Sequence, residues 1–210
     1  MNKFYKNNYP ETNLYKKMSV KSEMLTQMIY GDKFSILKTA SKWLKIKIIN
    51  DGYIGFIKKK KYIYYSPNTH KVSVLSANIY KNSNNKKKIT ELTYGSRIKL
   101  EERYLEFVRF ENKWIDKKNI KPINFRNRKI FSNIKIFTNI RYKWGGKSFK
   151  GLDCSALIQL FFNFNNKYCP RDAKDQIRYF KKSVSLRNIK KNNIIYWRGH
   201  VAVAISKKKL

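Results

Sequence analysis

Apolar and polar residues follow two different periods along this 210-residue chain. Between Phe34 and Ile57 the apolar positions come in short runs, Phe34–Leu37, Trp43–Ile48 and Tyr53–Ile57, with Asn50-Asp51-Gly52 separating the last two. Runs of that length with partial alternation predict strands. An Asp-Gly step between two of them predicts a hairpin, because these residues tolerate the backbone angles of a tight turn. Further on, Cys154, Leu157, Ile158, Phe161 and Phe162 fall at i, i+3, i+4, i+7 and i+8. That spacing lines one face of a 3.6-residue period, so a helix is predicted from Cys154 onward. The run Val201–Ile205, after Gly199-His200, has the composition of a strand. Phe125–Ile140 is read as a lead-in helix, against the low helix propensity of its Asn and β-branched residues. Lys58–Lys61 and Asn82–Lys88 are lysine-rich without an apolar period and are read as loops.

The strand-rich part is written twice. Thr26-Gln27-Met28-Ile29-Tyr30-Gly31 recurs as Thr90-Glu91-Leu92-Thr93-Tyr94-Gly95 at an offset of 64, and Tyr53-Ile54 is answered by Trp114-Ile115 at an offset of 61. An internal repeat of about 60 residues is one structural unit copied. Several short strands in that length fit a small barrel, and Pro122 ends the second copy. The reading therefore divides the chain into residues 1–65, 66–123 and 124–210, with an α+β fold overall. At 42% hydrophobic the chain has enough apolar surface for such cores.

Cys154 stands in the first turn of the predicted helix, after the Gly145-Gly146 pair. Unpaired N–H groups and the positive end of the helix dipole favour an anion there, which is where a thiol is drawn toward thiolate. His200, 46 positions later, opens the last strand-like run and is the candidate base. Cys169, beside Pro170, has no base near it and is read as a buried packing residue. Cys154, Cys169, His70 and His200 lack metal-ligand spacing, so neither a metal nor a cofactor is expected; His70 is placed in the linker between the repeat copies. Two cysteines make no disulfide framework.

Tyr142-x-Trp144-Gly145-Gly146, Asp153-Cys154-Ser155, Pro170-Arg171-Asp172-Ala173 with Gln176, and Gly199-His200-Val201, in this order and at these separations, resemble the NlpC/P60 cysteine peptidases. The pattern of Tyr-Gly, Trp-Leu-x-Ile and Gly-Tyr-Ile-Gly-Phe-Ile in the first copy resembles bacterial SH3 domains, which often precede such a core. The resemblance implies two small SH3-like β-barrels followed by a papain-like core. It also implies a γ-D-glutamyl-L-diamino acid endopeptidase of the dipeptidyl-peptidase VI type, acting on murein-derived stem peptides with a free N-terminal L-alanine. By motif, Cys154 is the nucleophile and His200 the base. Asp153 holds the substrate amine, Ser155 lines the same subsite and Tyr142 lies beside the oxyanion; each also has a structural reading, Asp153 as a helix cap, Ser155 as first-turn filler and Tyr142 as core aromatic. No SH3 residue is assigned to substrate, Asp32 being the one guess. Two departures stand out. Ala156 replaces the family's usual Gly, and the polar residue that orients the base, about a dozen positions after it, falls beyond Leu210. The expectation is a core without its last strands, a fragment or a natural truncation.

Composition adds a strong but diffuse charge. Lys and Arg number 48 against 13 Asp and Glu, a formal net charge of +35. Such a field concentrates anions at the surface, and a nucleic-acid-binding protein is one alternative reading. Against it, lysines outnumber arginines 38 to 10 and are spread over all three segments, while Asn (22) and Ile (24) are equally inflated, as in AT-rich coding sequence. No zinc-finger, helix-turn-helix or RNA-recognition pattern is present. A cell-wall-peptide binder without catalysis is the other alternative. The first residues carry no apolar core of signal-peptide length and no run approaches a membrane span, so a cytoplasmic enzyme with no membrane partner is expected.

Overall fold

A computed structural model of the chain describes residues 3–84, 87–181 and 183–206. Part of the expected 82–88 loop and the lysine-rich end at 207–210 lie outside the described residues.

The first copy of the repeat contributes β1 (Phe4–Lys6), β2 (Glu11–Tyr15), β3 (Met24–Ile29), β4 (Lys33–Ala40), β5 (Trp43–Ile48), β6 (Ile54–Lys58) and β7 (Ile63–Tyr64). They form one sheet in the order β3-β2-β6-β5-β4-β1-β7. Alternation makes these strands two-faced: along β5, Leu44, Ile46 and Ile48 are buried and the residues between them face outward. The Asn50-Asp51-Gly52 step turns β5 into β6 as predicted, with Gly52 at φ 75°.

The second copy supplies β8 (His70–Val72), β9 (Ser76–Tyr80), β10 (Lys88–Thr93), β11 (Arg97–Ile98), β12 (Glu102–Tyr104), β13 (Phe107–Phe110), β14 (Lys113–Asp116) and β15 (Ile120–Pro122). Its larger sheet runs β10-β9-β14-β13-β12, the order of β3-β2-β6-β5-β4 shifted by one copy. The long β4 of the first copy is here broken into β11 and β12, so β11-β8-β15 forms a separate three-stranded sheet. Two corrections follow. His70 is a strand residue of this copy, paired with Ile98 and Pro122, and not part of a linker. Among the described residues the ladders of each copy run open from edge to edge, so the units are SH3-like sheets without the full strand closure of a barrel.

After Pro122 the expected helix over 125–140 is replaced by turns and a single 3-10 turn at Ile134–Phe137. Asn133 caps it without a side-chain hydrogen bond, and Asn139 adopts φ 68° just after it. The segment is held by burial of Phe131 and Phe137 against the next helix, with i→i−3 backbone bonds such as Ile136 N–H to the Asn133 carbonyl in place of an α-helical ladder. Then come the short hairpin β16 (Lys147–Ser148) and β17 (Gly151–Leu152), α1 (Cys154–Phe164), α2 (Ala173–Tyr179), and the hairpin β18 (Ile194–Trp197) and β19 (His200–Val203). Of the predicted apolar face of α1, Ile158 and Phe161 are buried in a core shared with Phe164 and with Val201 and Val203 of β19, while Cys154, Leu157 and Phe162 are partly buried against it. No helix among the described residues is long and apolar enough to cross a membrane.

The first copy also docks on the third region. Arg171 Nε donates to Thr26 Oγ1 at 2.6 Å, the Lys147 N–H to Gln27 Oε1 at 2.8 Å, and Tyr53 Oη to Asp172 at 3.1 Å. Asp51 accepts from Gln159 of α1 at 3.0 Å. The start of α1 therefore faces the first copy across a shared cleft.

Candidate active site

Cys154 is the first residue of α1, and its position is fixed by the residue before it. Asp153 caps the helix with Oδ1, which accepts from the Ala156 N–H at 2.8 Å, in keeping with the preference of aspartate for this place. The same oxygen accepts from Ser155 Oγ at 3.2 Å and Arg171 Nη1 at 2.9 Å, while Oδ2 accepts from the Gly145 N–H at 3.0 Å and Arg171 Nη2 at 2.5 Å. Asp153 and Arg171 are both buried. Burial would lower the pKa of Arg171, but Asp153 beside it holds the guanidinium above its ordinary value. The Gly-Gly step is sterically required: Gly145 sits at φ 69° with its would-be Cβ 2.7 Å from the Met24 carbonyl oxygen, and a Cβ on Gly146 would lie 2.5 Å from that of Gly151.

A pocket of about 360 Å³ opens over Cys154. Tyr142, Asp153, Cys154 and Ser155, four of the five residues expected from sequence, line it together. Tyr142 is largely exposed, and its phenol titrates above its ordinary value through partial burial and then through the neighbouring Cys154 and Asp153. At neutral pH it is therefore a hydrogen-bond donor beside the thiol. Ser155 lines the pocket with its hydroxyl engaged by Asp153 and Arg171. The fifth residue, His200, is not part of the wall. Its neighbour Gly199 is, and the exposed His200 ring packs on Trp197 of the paired strand with centroids 5.9 Å apart. Cys169 is fully buried, and burial pushes its thiol up to about 12, as an inert packing residue requires.

The opposite wall comes from the first copy and from α2. Lys16, Glu23, Leu25 and Tyr53 meet Trp144, Asp172, Ala173 and Lys174 there. The carboxyl of Asp172 is raised by burial, an effect opposed by the Tyr53 hydroxyl and Arg171. Sequence reasoning quoted Asp172 within a motif without giving it a role, and Tyr53 as a strand residue alone. Their contact spans 119 positions and no local pattern signals it. Asp32, the one guess for an SH3 residue at the substrate, is instead buried, accepting from the Ile29 N–H at 2.9 Å and lying 3.7 Å from Lys147.

Comparison with known proteins fits this arrangement. The profile of the NlpC/P60 family, a family of cysteine peptidases, matches residues 139–210, and that of the bacterial dipeptidyl-peptidase SH3 domain matches residues 14–61. A γ-D-glutamyl-L-lysine dipeptidyl-peptidase of Bacillus subtilis (strain 168) is 24% identical over 188 residues, covering 82% of this chain and 63% of the relative. Dipeptidyl-peptidase 6 of Lysinibacillus sphaericus is 34% identical over 62 residues, 30% of this chain and 23% of the relative. The chain thus spans less than two thirds of the length of the curated relatives it matches. The crystal structure of an NlpC/P60 family protein from Bacillus cereus ATCC 10987 superposes with a TM-score of 0.84 at 18% identity, over 97% of this chain and 88% of that one, which establishes the fold. With a match to the bacterial dipeptidyl-peptidase SH3 domain at its front and the Cys154 helix inside its matched C-terminal region, the chain carries an NlpC/P60 domain.

Proposed function

We propose that this chain is a cysteine peptidase that cleaves the γ-D-glutamyl–diamino acid bond of cell-wall stem peptides bearing a free N-terminal L-alanine, such as recycled murein peptides. The observation that carries the reading is Cys154 at the open first turn of a capped helix, on the floor of a pocket that the first SH3-like unit closes on one side. The B. subtilis relative, named as a γ-D-glutamyl-L-lysine dipeptidyl-peptidase, supports the choice of bond.

In this reading the Cys154 thiolate attacks the γ-carbonyl carbon and forms a C–S bond, pushing charge onto the carbonyl oxygen. The Tyr142 hydroxyl and the free N–H groups of the first helical turn face that oxygen and stabilise the charge where it develops. His200 swings from Trp197 toward the thiol once substrate fills the pocket; such contacts are commonly long in a free enzyme. It first takes the thiol proton and then delivers it to the leaving amine as the C–N bond breaks. Water, deprotonated by His200, cleaves the thioester and returns the thiol.

The substrate amine is assigned to Asp172 rather than Asp153. Five donors already fill the two oxygens of Asp153, about the capacity of a carboxylate. Asp153 is then a positioning residue that holds Arg171 and the helix start. Asp172, on the pocket wall with Tyr53 alone among the described residues hydrogen-bonded to its carboxylate, has room for an ammonium group.

Incubation with L-Ala-γ-D-Glu-L-Lys tests this directly. Release of L-Ala-γ-D-Glu by the wild type and its loss in Cys154→Ala are expected; release that Cys154→Ala leaves undiminished would refute the assignment. The place of His200 outside the pocket wall favours a second reading, a stem-peptide binder without turnover. That reading gains if the peptide binds and no product forms.

A further inference from the structure

A second cavity, of about 300 Å³, lies where all three regions meet and shares no wall residue with the Cys154 pocket. The first copy contributes Asn50, the second Asn68 and Arg97, and the third Asn163 and Lys167. Two of these side chains are unfinished. Asn163 of α1 is 9% exposed and its Oδ1 has no hydrogen-bond partner. Asn68 donates through Nδ2 to the Gly31 carbonyl at 3.2 Å, which fixes its orientation and leaves its buried Oδ1 without a donor. A buried acceptor left unbonded is costly, so native structures fill such places.

The charge around the cavity is equally unfinished. No Asp or Glu lines it, and among the described residues neither Arg97 nor Lys167 forms an ion pair. Arg97 makes one long contact, Nη2 to the Asn163 carbonyl at 3.4 Å. Buried Lys71 stands beside it with Nζ 3.4 Å from Asn166 Oδ1, its pKa lowered to about 8 by burial and then by Arg97 and Arg126. Cations facing a concave, carboxylate-free wall attract an anion, and the two orphan acceptors ask for N–H donors.

We propose that this cavity binds the free C-terminal end of a short peptide or an N-acyl amino acid. Its carboxylate lies against Arg97 and Lys167, and its amide N–H donates to Oδ1 of Asn68 or Asn163. A carboxylate and an N–H group on the same Cα present both functions within a few ångströms, which a simple anion or a neutral amide does not. The site does not depend on the peptidase reading. Asn50 lines this cavity while Tyr53, three residues on in the same turn, lines the Cys154 pocket, so an occupant here sits next to the catalytic wall.

The test uses the full chain carrying Cys154→Ala and N-acetylglycine, which has no free amine. The Asn68 and Asn163 side-chain amide signals are followed by 1H–15N NMR, with acetate and N-methylacetamide as half-probes. Both amide signals should shift saturably with N-acetylglycine, and each half-probe should bind about tenfold or more weakly. Arg97→Gln should weaken binding by at least about tenfold, the scale of one lost charge-assisted hydrogen bond. The exposed Lys167→Gln should weaken it less and gives a second reading if the Arg97 variant folds poorly. Amide signals that stay in place, acetate binding as tightly as N-acetylglycine, or affinity unchanged by Lys167→Gln and by any folded Arg97→Gln would each overturn the proposal.

Discussion

In the first copy of the repeat, buried Lys6 and Tyr30 face the second copy; in the second, Lys71 and Tyr94, 65 and 64 residues further on, face the helix that carries Cys154. Tyr30 sits in the core of the second copy edge-on to Phe110, and Tyr94 sits in the core of the third region, stacked on Phe164 at 4.5 Å. The same two positions thus join each unit to the next. The joints differ in how they neutralise the lysine. Lys6 meets the carboxylate of Glu111, which also accepts from the Tyr30 hydroxyl. Lys71 meets no carboxylate among the described residues: it donates to the backbone carbonyls of Ile123 at 2.9 Å, Phe125 at 2.6 Å and Phe164 at the C-terminal end of α1, with the Asn166 side-chain oxygen at 3.4 Å. A helix C-terminus with its free carbonyls takes the place of an acid. Two copies of one fold can therefore make the same joint with an ion pair or with dipoles.

The comparison is broken most severely at Tyr94. Tyr94→Ala should cost about 3–5 kcal/mol in urea unfolding, as for a fully buried aromatic. Lys71→Met comes next: it takes the donor from the buried Phe164 carbonyl and from the half-buried Phe125 carbonyl, while that of Ile123 keeps the Asn166 amide, and it should cost about 1–3 kcal/mol. A lysine that merely lay on the surface would change stability by no more than about 0.5 kcal/mol. Removing the two hydroxyls sharpens the contrast. Tyr30→Phe should cost about 1–2 kcal/mol through its bond to Glu111. Tyr94→Phe should stay within about 0.5 kcal/mol, because its buried hydroxyl faces Asn127 without a formed hydrogen bond.

The two joints also differ in pH dependence, at opposite ends of the scale. Burial alone would raise the Glu111 carboxyl, but Lys6 and Tyr30 hold it below its ordinary value. Its contribution is therefore complete above the ordinary glutamate pKa and is lost as pH falls through the depressed one. Glu111→Gln should flatten that acid limb of a stability–pH curve. For Lys71, lowered to about 8 from an ordinary 10.5, the unfolded chain keeps a proton in that window that the folded chain has released. Stability then rises with pH from 8 to 10.5, and Lys71→Met should remove the rise.

Much of this was legible before any coordinates. Strand β5 and the start of α1 follow directly from the spacing of apolar residues, and the offset of 64 anticipates the repeated strand order of the two larger sheets. The joints were not. In a chain of +35, two more lysines look like solvated charge, and the partners of Lys71 lie 52 to 95 positions away. The segment 125–140 has apolar residues at helical intervals but lacks the propensity to hold a helix, and packing decides its course. At the site, motif spacing named Tyr142, Asp153, Cys154 and Ser155, which the fold gathers around one pocket. It gave no role to Asp172, because the Tyr53 contact that marks it arises only when the first copy docks on the third region.

The central claim is that Cys154, and not Cys169, is the open thiol of a peptide-binding pocket. Alkylation of the folded chain with iodoacetamide, mapped by mass spectrometry with and without L-Ala-γ-D-Glu, tests it most directly. Cys154 should be labelled first and the dipeptide should slow that labelling, while Cys169 stays unmodified until the chain unfolds. Labelling of Cys169 at a comparable rate, or labelling of Cys154 that saturating dipeptide leaves unchanged, would contradict it.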